Sequence, residues 1–259
     1  MKIRQKIALA WAALILILPA AVAQSRSRPV KPQSGKAPSA TTKQPVTAPA
    51  VPTDPALETL LRQMDAAAEK FRSAQADFTW DQYQTVVDET DTQTGTIYFR
   101  RRGKETDMSA DVKTPEPKHV LFTDAKLRLY QPKIDQVTEY DAGKNRSEFE
   151  TFLVLGFGGR GHDLQRSFTV KFLKKEAVDG VDTAVLELVP TAPKVRNMFN
   201  RMLLWIDPAR GVSLKQQFFE PSGDYRLARY SNFKLNQKLS DEAFKLKTTA
   251  NTKVVSPQG

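Results

Sequence analysis

Cysteine is absent from all 259 residues. Its absence excludes disulfides, thiolate nucleophiles and cysteine-bearing zinc sites, and leaves the fold to be held by a hydrophobic core. Histidine is nearly absent: His119 and His162 are the only two, which argues against metal chemistry, so neither metal nor cofactor is expected. Acidic residues are missing from the first 53 positions, which carry eight lysines and arginines and leave 31 basic residues against 29 acidic ones in the remainder. The formal charge of +10 therefore belongs to the N-terminal segment. That distribution argues against a nucleic-acid partner and fits solubility, or a transient attraction of the segment to anionic headgroups.

Long apolar runs are also lacking. Residues 7–18 form the one extended apolar stretch, about a dozen residues where a spanning helix needs roughly 20. Lys2, Arg4 and Lys6 precede it and the small residues Ala21, Val22 and Ala23 follow, the pattern of a secretory signal, with cleavage expected after Ala23. Because no cysteine follows the run, a thioether lipid anchor is excluded. Residues 24–53 hold six prolines and almost no large apolar side chain, so they are expected to form a disordered tether. Residues 54–259 are expected to fold as one β domain, and a periplasmic location follows from export.

Asp54 with Pro55 reads as a helix start, and Leu57, Leu60, Leu61, Met64, Ala67, Ala68 and Phe71 recur at helical spacing to about Arg72. The period then changes to two. Alternation runs through Ala76, Phe78 and Trp80, through Ile97 and Phe99, and through Met108, Ala110 and Val112. It continues over residues 119–122 and 127–129, with Asp124-Ala125 as a reversal between them. Residues 147–157 return to helical spacing around Phe149, Phe152 and Leu153. A run of Gly156, Gly158, Gly159 and Gly161 follows, suited to a hinge or a helix stop. Strands resume at 168–174 and 183–189, a loop or short helix is expected at 193–199, and strands at 201–207, 213–220 and 225–235 are divided by strong turn signals.

Chemistry is hard to find in this pattern. The glycine run follows a helix instead of a strand and lacks the Gly-Lys-Ser/Thr of a phosphate loop. His162 and Asp163 are adjacent and cannot readily form a base and its orienting group, and no nucleophile elbow is present. Apolar surface is what remains. One concave face is expected to gather Phe78, Trp80, Ile97, Phe99, Met108, Leu121, Leu129, Leu186, Leu188, Leu204 and Ile206, with Phe149, Phe152 and Leu153 above it. Two helices are few to fill a curved sheet of about ten strands, and the unfilled volume suits a hydrocarbon chain at about 0.8 kcal/mol per buried methylene.

The chain resembles the periplasmic outer-membrane lipoprotein carrier family of LolA and LolB. The resemblance rests on residues 73–80 and 95–99 and, towards the C-terminus, on residues 186–190, 203–208, 221–224, 230–236 and 239–244. It implies an open antiparallel β-barrel of ten or eleven strands, mainly β with helices, under a helical lid over a hydrophobic cavity. It further implies a non-enzymatic carrier that receives the acyl chains of lipoproteins or lipids, released by an inner-membrane transporter and passed to an outer-membrane acceptor. In such carriers a Lys-Arg-Pro step supplies an arginine that latches the lid, and Arg101 matches it. Here the step reads Arg100-Arg101-Arg102, without the proline, so a latch and a solvated strand end both remain open. A regulatory domain sensing envelope lipids or lipoproteins with the same fold is the alternative.

Overall fold

The computed structural model describes residues 54–103, 105–141, 152 and 155–256. The expected signal, the tether, Phe149 and Leu153 lie outside them. The described residues open on helix α1 (Pro55–Lys70), whose first turn is capped by the Asp54 carboxylate accepting from the Ala56 amide at 2.9 Å. Glu58 in the first turn and Lys70 in the last suit the helix dipole. The helix stops two residues earlier than the spacing predicts, because Phe71 is already extended and leads into the sheet.

Strands β1 (Ser73–Gln84), β2 (Glu89–Arg102), β3 (Glu105–Thr114), β4 (Lys118–Thr123), β5 (Lys126–Gln131) and β6 (Gln136–Asp141) form one meander. After the short helix α2 (Gly161–Ser167), a second meander runs through β7 (Phe168–Val178), β8 (Val181–Pro190), β9 (Arg201–Asp207), β10 (Val212–Phe219) and β11 (Tyr225–Leu235), with helix α3 (Pro193–Arg196) between β8 and β9. Strand β11 pairs with β1, which joins the two meanders at the middle of the sheet. The three-residue β12 (Lys253–Val255) adds to β6 in parallel. The result is a twelve-stranded sheet, antiparallel except at that last pair, with β7 and β12 as separate edges. It is an open barrel, as expected, with two strands more than the alternation had picked out. Those two, β6 and β12, have little apolar alternation of their own and are held by their neighbours. The reversals are where the sequence put them: Asp124, Ala125, Asp179 and Gly180 all have positive φ, as tight hairpin turns require.

Two clusters of buried side chains occupy the concave side. In one, Leu57, Leu60, Leu61 and Met64 of α1 pack on Leu186, Leu188, Met202, Leu204 and Ile206. In the other, Ile97, Phe99, Met108, Phe122, Leu127 and Leu129 gather with Phe71, Phe157 and Tyr230. Helix α1 thus fills one half of the cup with its own side chains and leaves the other half to be covered by different residues.

The convex side is also partly covered. A single turn at Asp241–Phe244 buries Phe244, whose ring lies 4.1 Å from the Arg100 guanidinium. Arg100 in turn pairs with Asp107 and Asp241.

Candidate functional site: a covered apolar cavity

Register places the cavity. Ile97 pairs with Ala110, Ala110 with Val120, and Val120 with Leu129. Phe99, Met108, Phe122 and Leu127 line up in the next such row. Side chains on a pleated sheet alternate between faces, so these two rows share the concave surface. Above them a cavity of about 150 Å³ is floored by Trp80, Ile97, Phe99, Met108, Val112, Val120 and Leu127, and roofed by Phe152, Leu155 and Phe157. Phe199 and Phe218 form its flank and Ala228 and Tyr230 its β11 side.

The roof is fastened by backbone and side-chain bonds. Leu155 offers its carbonyl to the buried Gln216 amide at 2.6 Å, and Gly156 accepts from the Ser213 amide at 2.8 Å. Phe157 forms a bridge to Val212, while its ring stacks on Phe99 with centroids 4.3 Å apart and meets Tyr230 edge-on. Burial raises the Tyr230 phenol well above its ordinary pKa, so it stays neutral and donates to Gln216.

Arg101 lies on the same strand face as Ile97 and Phe99. Its guanidinium donates to the Ala68 carbonyl and to the Gly158 carbonyl, both at 2.7 Å, and sits over the Phe71 ring. Ala68 is in the last turn of α1, where carbonyls lack helical partners. One arginine therefore ties the helix end to the roof segment. Burial, with Arg72 nearby, holds its pKa below the usual guanidinium value.

Several expected positions are corrected. Leu121 pairs with Ser109 and not with Met108, so it faces the convex side, where it is also buried. Leu186, Leu188, Leu204 and Ile206 face the concave side but do not line the cavity, since α1 packs directly on them. Phe78 and Leu129 stand behind the lining, Phe78 stacked on Trp80 at 3.9 Å. The helical pattern expected to run to Phe157 does not reach that far, because Leu155 and Gly156 are in a turn. Three of the four glycines read as a hinge, Gly156, Gly158 and Gly161, are points of close contact. A Cβ on Gly158 would meet the Phe71 ring at 2.3 Å, and one on Gly161 would meet the Leu61 backbone at 2.6 Å. Phe157, Val112, Val120, Leu127 and Gln216 were missed. Val112 and Val120 share the concave parity of Met108 and Ala110, a signal that was in the sequence.

Outside the cavity, His162 does meet a carboxylate, though not that of Asp163. Its Nδ1 lies 2.7 Å from Asp65 and its Nε2 3.3 Å from Glu58, both on α1. The hydrogen bond to Asp65 raises the imidazole pKa, with Glu58 adding to it and burial opposing. A raised folded-state value means that this clamp stabilises fully below the unfolded imidazole's pKa near 6.5 and is lost as pH rises through the folded value. Thermal unfolding followed from about pH 5.5 to about 8.5 should therefore show an alkaline loss that His162→Gln lacks, below about 1 kcal/mol because the ring is partly exposed.

On the convex side Asp111, His119 and Ser109 form a chain, with Asp111 Oδ1 at 2.5 Å from His119 Nδ1 and Ser109 Oγ at 3.1 Å from Nε2. The residue types are those of a hydrolase triad, but Ser109 is 0 % exposed. The chain cross-links β3 and β4.

An open antiparallel half-barrel whose concave face is part core and part covered apolar cavity defines the fold class. The family described as outer membrane lipoprotein carrier protein LolA matches residues 69–247, and the chain belongs to that family. No curated protein matches it. Among solved structures, MucB aligns with a TM-score of 0.51 at 13 % identity over 78 % of this chain and 66 % of its own. A conserved protein from Thermus thermophilus aligns at 0.50 and 10 % identity over 78 % and 99 %. A LolA superfamily protein from Nitrosomonas europaea aligns at 0.37 and 16 % identity over 73 % and 97 %. At these identities the likeness is one of fold.

Proposed function

We propose that this protein is a periplasmic carrier that holds the acyl chains of lipoproteins or lipids in the covered cavity and transfers them towards the outer membrane. The observation that carries the reading is the cavity, an apolar space bounded by aromatic and aliphatic side chains under a roof that includes Phe152, Leu155 and Phe157. Each methylene placed there gains about 0.8 kcal/mol, so no covalent step is needed for capture. Direction comes from an acceptor that binds the same chains more tightly. An inner-membrane releasing transporter and an outer-membrane acceptor are the partners this implies, with transient contact to the membrane surface.

Arg101 is assigned the latch. Its two hydrogen bonds cross from the strand to α1 and to the roof, and opening the roof at that point breaks one of them. Arg101→Met should raise ligand release at least tenfold, since a charge-assisted bond contributes about 1.5–3 kcal/mol. It should also raise amide exchange over residues 155–158. An unchanged release rate with unchanged exchange would remove the latch from the proposal.

Extraction of the purified protein followed by mass spectrometry tests the function itself. Bound acylated lipid or lipoprotein, and its transfer to acceptor vesicles, are expected. A protein that is empty and takes up no acyl ligand would overturn the reading, and loading without transfer would favour the alternative, an envelope lipid or lipoprotein sensor.

A further inference from the structure

The cavity is apolar at one end only. Following the strands away from Arg101, the concave rows change character: Gln93, Trp80, Ala228 and Gln216 stand opposite one another across β2, β1, β11 and β10, and the next row is Asp91, Gln82, Arg226 and Phe218. Gln82, Asp91, Gln93 and Arg226 all line the cavity. From Asp91 to Phe99 along β2 is about 26 Å at roughly 3.3 Å per residue, so the polar row and the Phe99 row stand at opposite ends of a long apolar floor.

Two observations say what the polar end would bind. First, the Gln82 Nε2 group is buried and has no hydrogen-bond partner among the described residues. A buried donor without a partner is costly and uncommon, and a hydrocarbon tail would not supply one. Second, the positive charge at this end is already answered. Arg226 bonds Glu220 through Nε at 3.0 Å and pairs with it again at 2.9 Å, and its guanidinium lies 5.2 Å from the Phe199 ring centroid. Asp91 adds a further negative charge beside Gln82 in the same row. The end thus offers a hydrogen-bond donor without net positive charge, a setting that disfavours a carboxylate or phosphate and suits a neutral acceptor.

We propose that the Gln82 end of the cavity is a subsite for a neutral acyl carbonyl, so that the ligand is an acyl ester or amide held with its carbonyl oxygen on the Gln82 amide and its tail directed to Phe99 and Leu127. The inference rests on the acyl-chain reading above and adds the head of the ligand to it: the protein distinguishes acyl esters and amides from bare hydrocarbon and from free fatty acids.

The test is displacement of a fluorescent acyl probe from the whole protein by three competitors with chains of about sixteen carbons, methyl hexadecanoate, heptadecane and hexadecanoate (chain length on the order of a membrane acyl chain). The ester should bind about tenfold more tightly than the alkane, the usual range for a hydrogen bond supplied to a buried donor, and more tightly than the anion. Gln82→Leu should lower the ester to the affinity of the alkane, while Asp179→Asn on the distant β7–β8 turn should keep the full ester preference. Equal binding of ester and alkane by the unmodified protein would overturn the subsite, whatever the variant does. So would a preference for the anion, or an ester preference that survives in Gln82→Leu. If none of the three competitors binds, the acyl-cavity reading fails and the subsite falls with it, an outcome distinct from equal binding.

Discussion

Val112→Phe together with Val120→Phe should empty the protein of ligand and leave it folded. Both valines are buried yet line the cavity, so the added ring atoms have open space to enter instead of displacing packed neighbours. Overpacking normally destabilises by about 1–3 kcal/mol where no space exists. Here the space exists, and unfolding stability should change by less than that. If the rings exclude four methylenes of the ligand, the loss is about 3 kcal/mol at roughly 0.8 kcal/mol each, or about two orders of magnitude in affinity. Calorimetric or fluorescence titration with an acyl ester, alongside urea unfolding, separates the two effects. Undiminished binding by a folded double variant would place the ligand elsewhere.

Leu204→Ala should do the reverse. Leu204 is 0 % exposed and packs in the half of the cup that α1 fills. Truncating a leucine in such a core costs about 2–5 kcal/mol, the spread reflecting how far the site collapses. The loss should appear in urea unfolding, while affinity per folded molecule stays within about twofold because the residue does not touch the cavity. A large loss of affinity with little loss of stability would mean that the two halves had been assigned the wrong way round.

This contrast between halves also shows what the sequence could and could not reveal. Strand alternation carried the concave assignment of Phe99, Met108, Leu186 and Leu204 correctly, since a period of two fixes the face of each residue once a strand is recognised. Alternation says nothing about what lies above the face. Leu186 and Met108 read alike in sequence, and only the landing of α1 on β8 and β9 makes one a core residue and leaves the other at a cavity. Leu121 failed for a local reason: Val120, Leu121 and Phe122 are three apolar residues in succession, and parity is ambiguous where the convex side is covered as well. The glycine run was ambiguous in sequence because a glycine that relieves a close contact and one that permits a swing leave the same letter. Gly158 under Phe71 and Gly161 against Leu61 are of the first kind. Arg101 was reached through family likeness, but the sequence held a second signal, since among three successive arginines the strand parity of Ile97 and Phe99 says which one turns inward.

The polar end of the cavity was hidden for a related reason. Gln82 has the parity of Phe78 and Trp80, but a glutamine near the end of a strand reads as solvated until its amide proves to be buried. Its role depends on β11 placing Arg226 opposite it, a contact between residues far apart in sequence.

Trp80 offers the most direct test of the central claim. It lines the cavity, whereas Trp205 faces the convex side, where Lys215 lies over its ring. With Trp11 and Trp205 replaced by phenylalanine, Trp80 is the sole indole, and an acyl ester brominated along its tail should quench its fluorescence saturably, with the quenching abolished by Val112→Phe and Val120→Phe. Saturable binding of the ester without quenching of Trp80, or quenching that persists in the filled variant, would contradict a ligand seated on this floor.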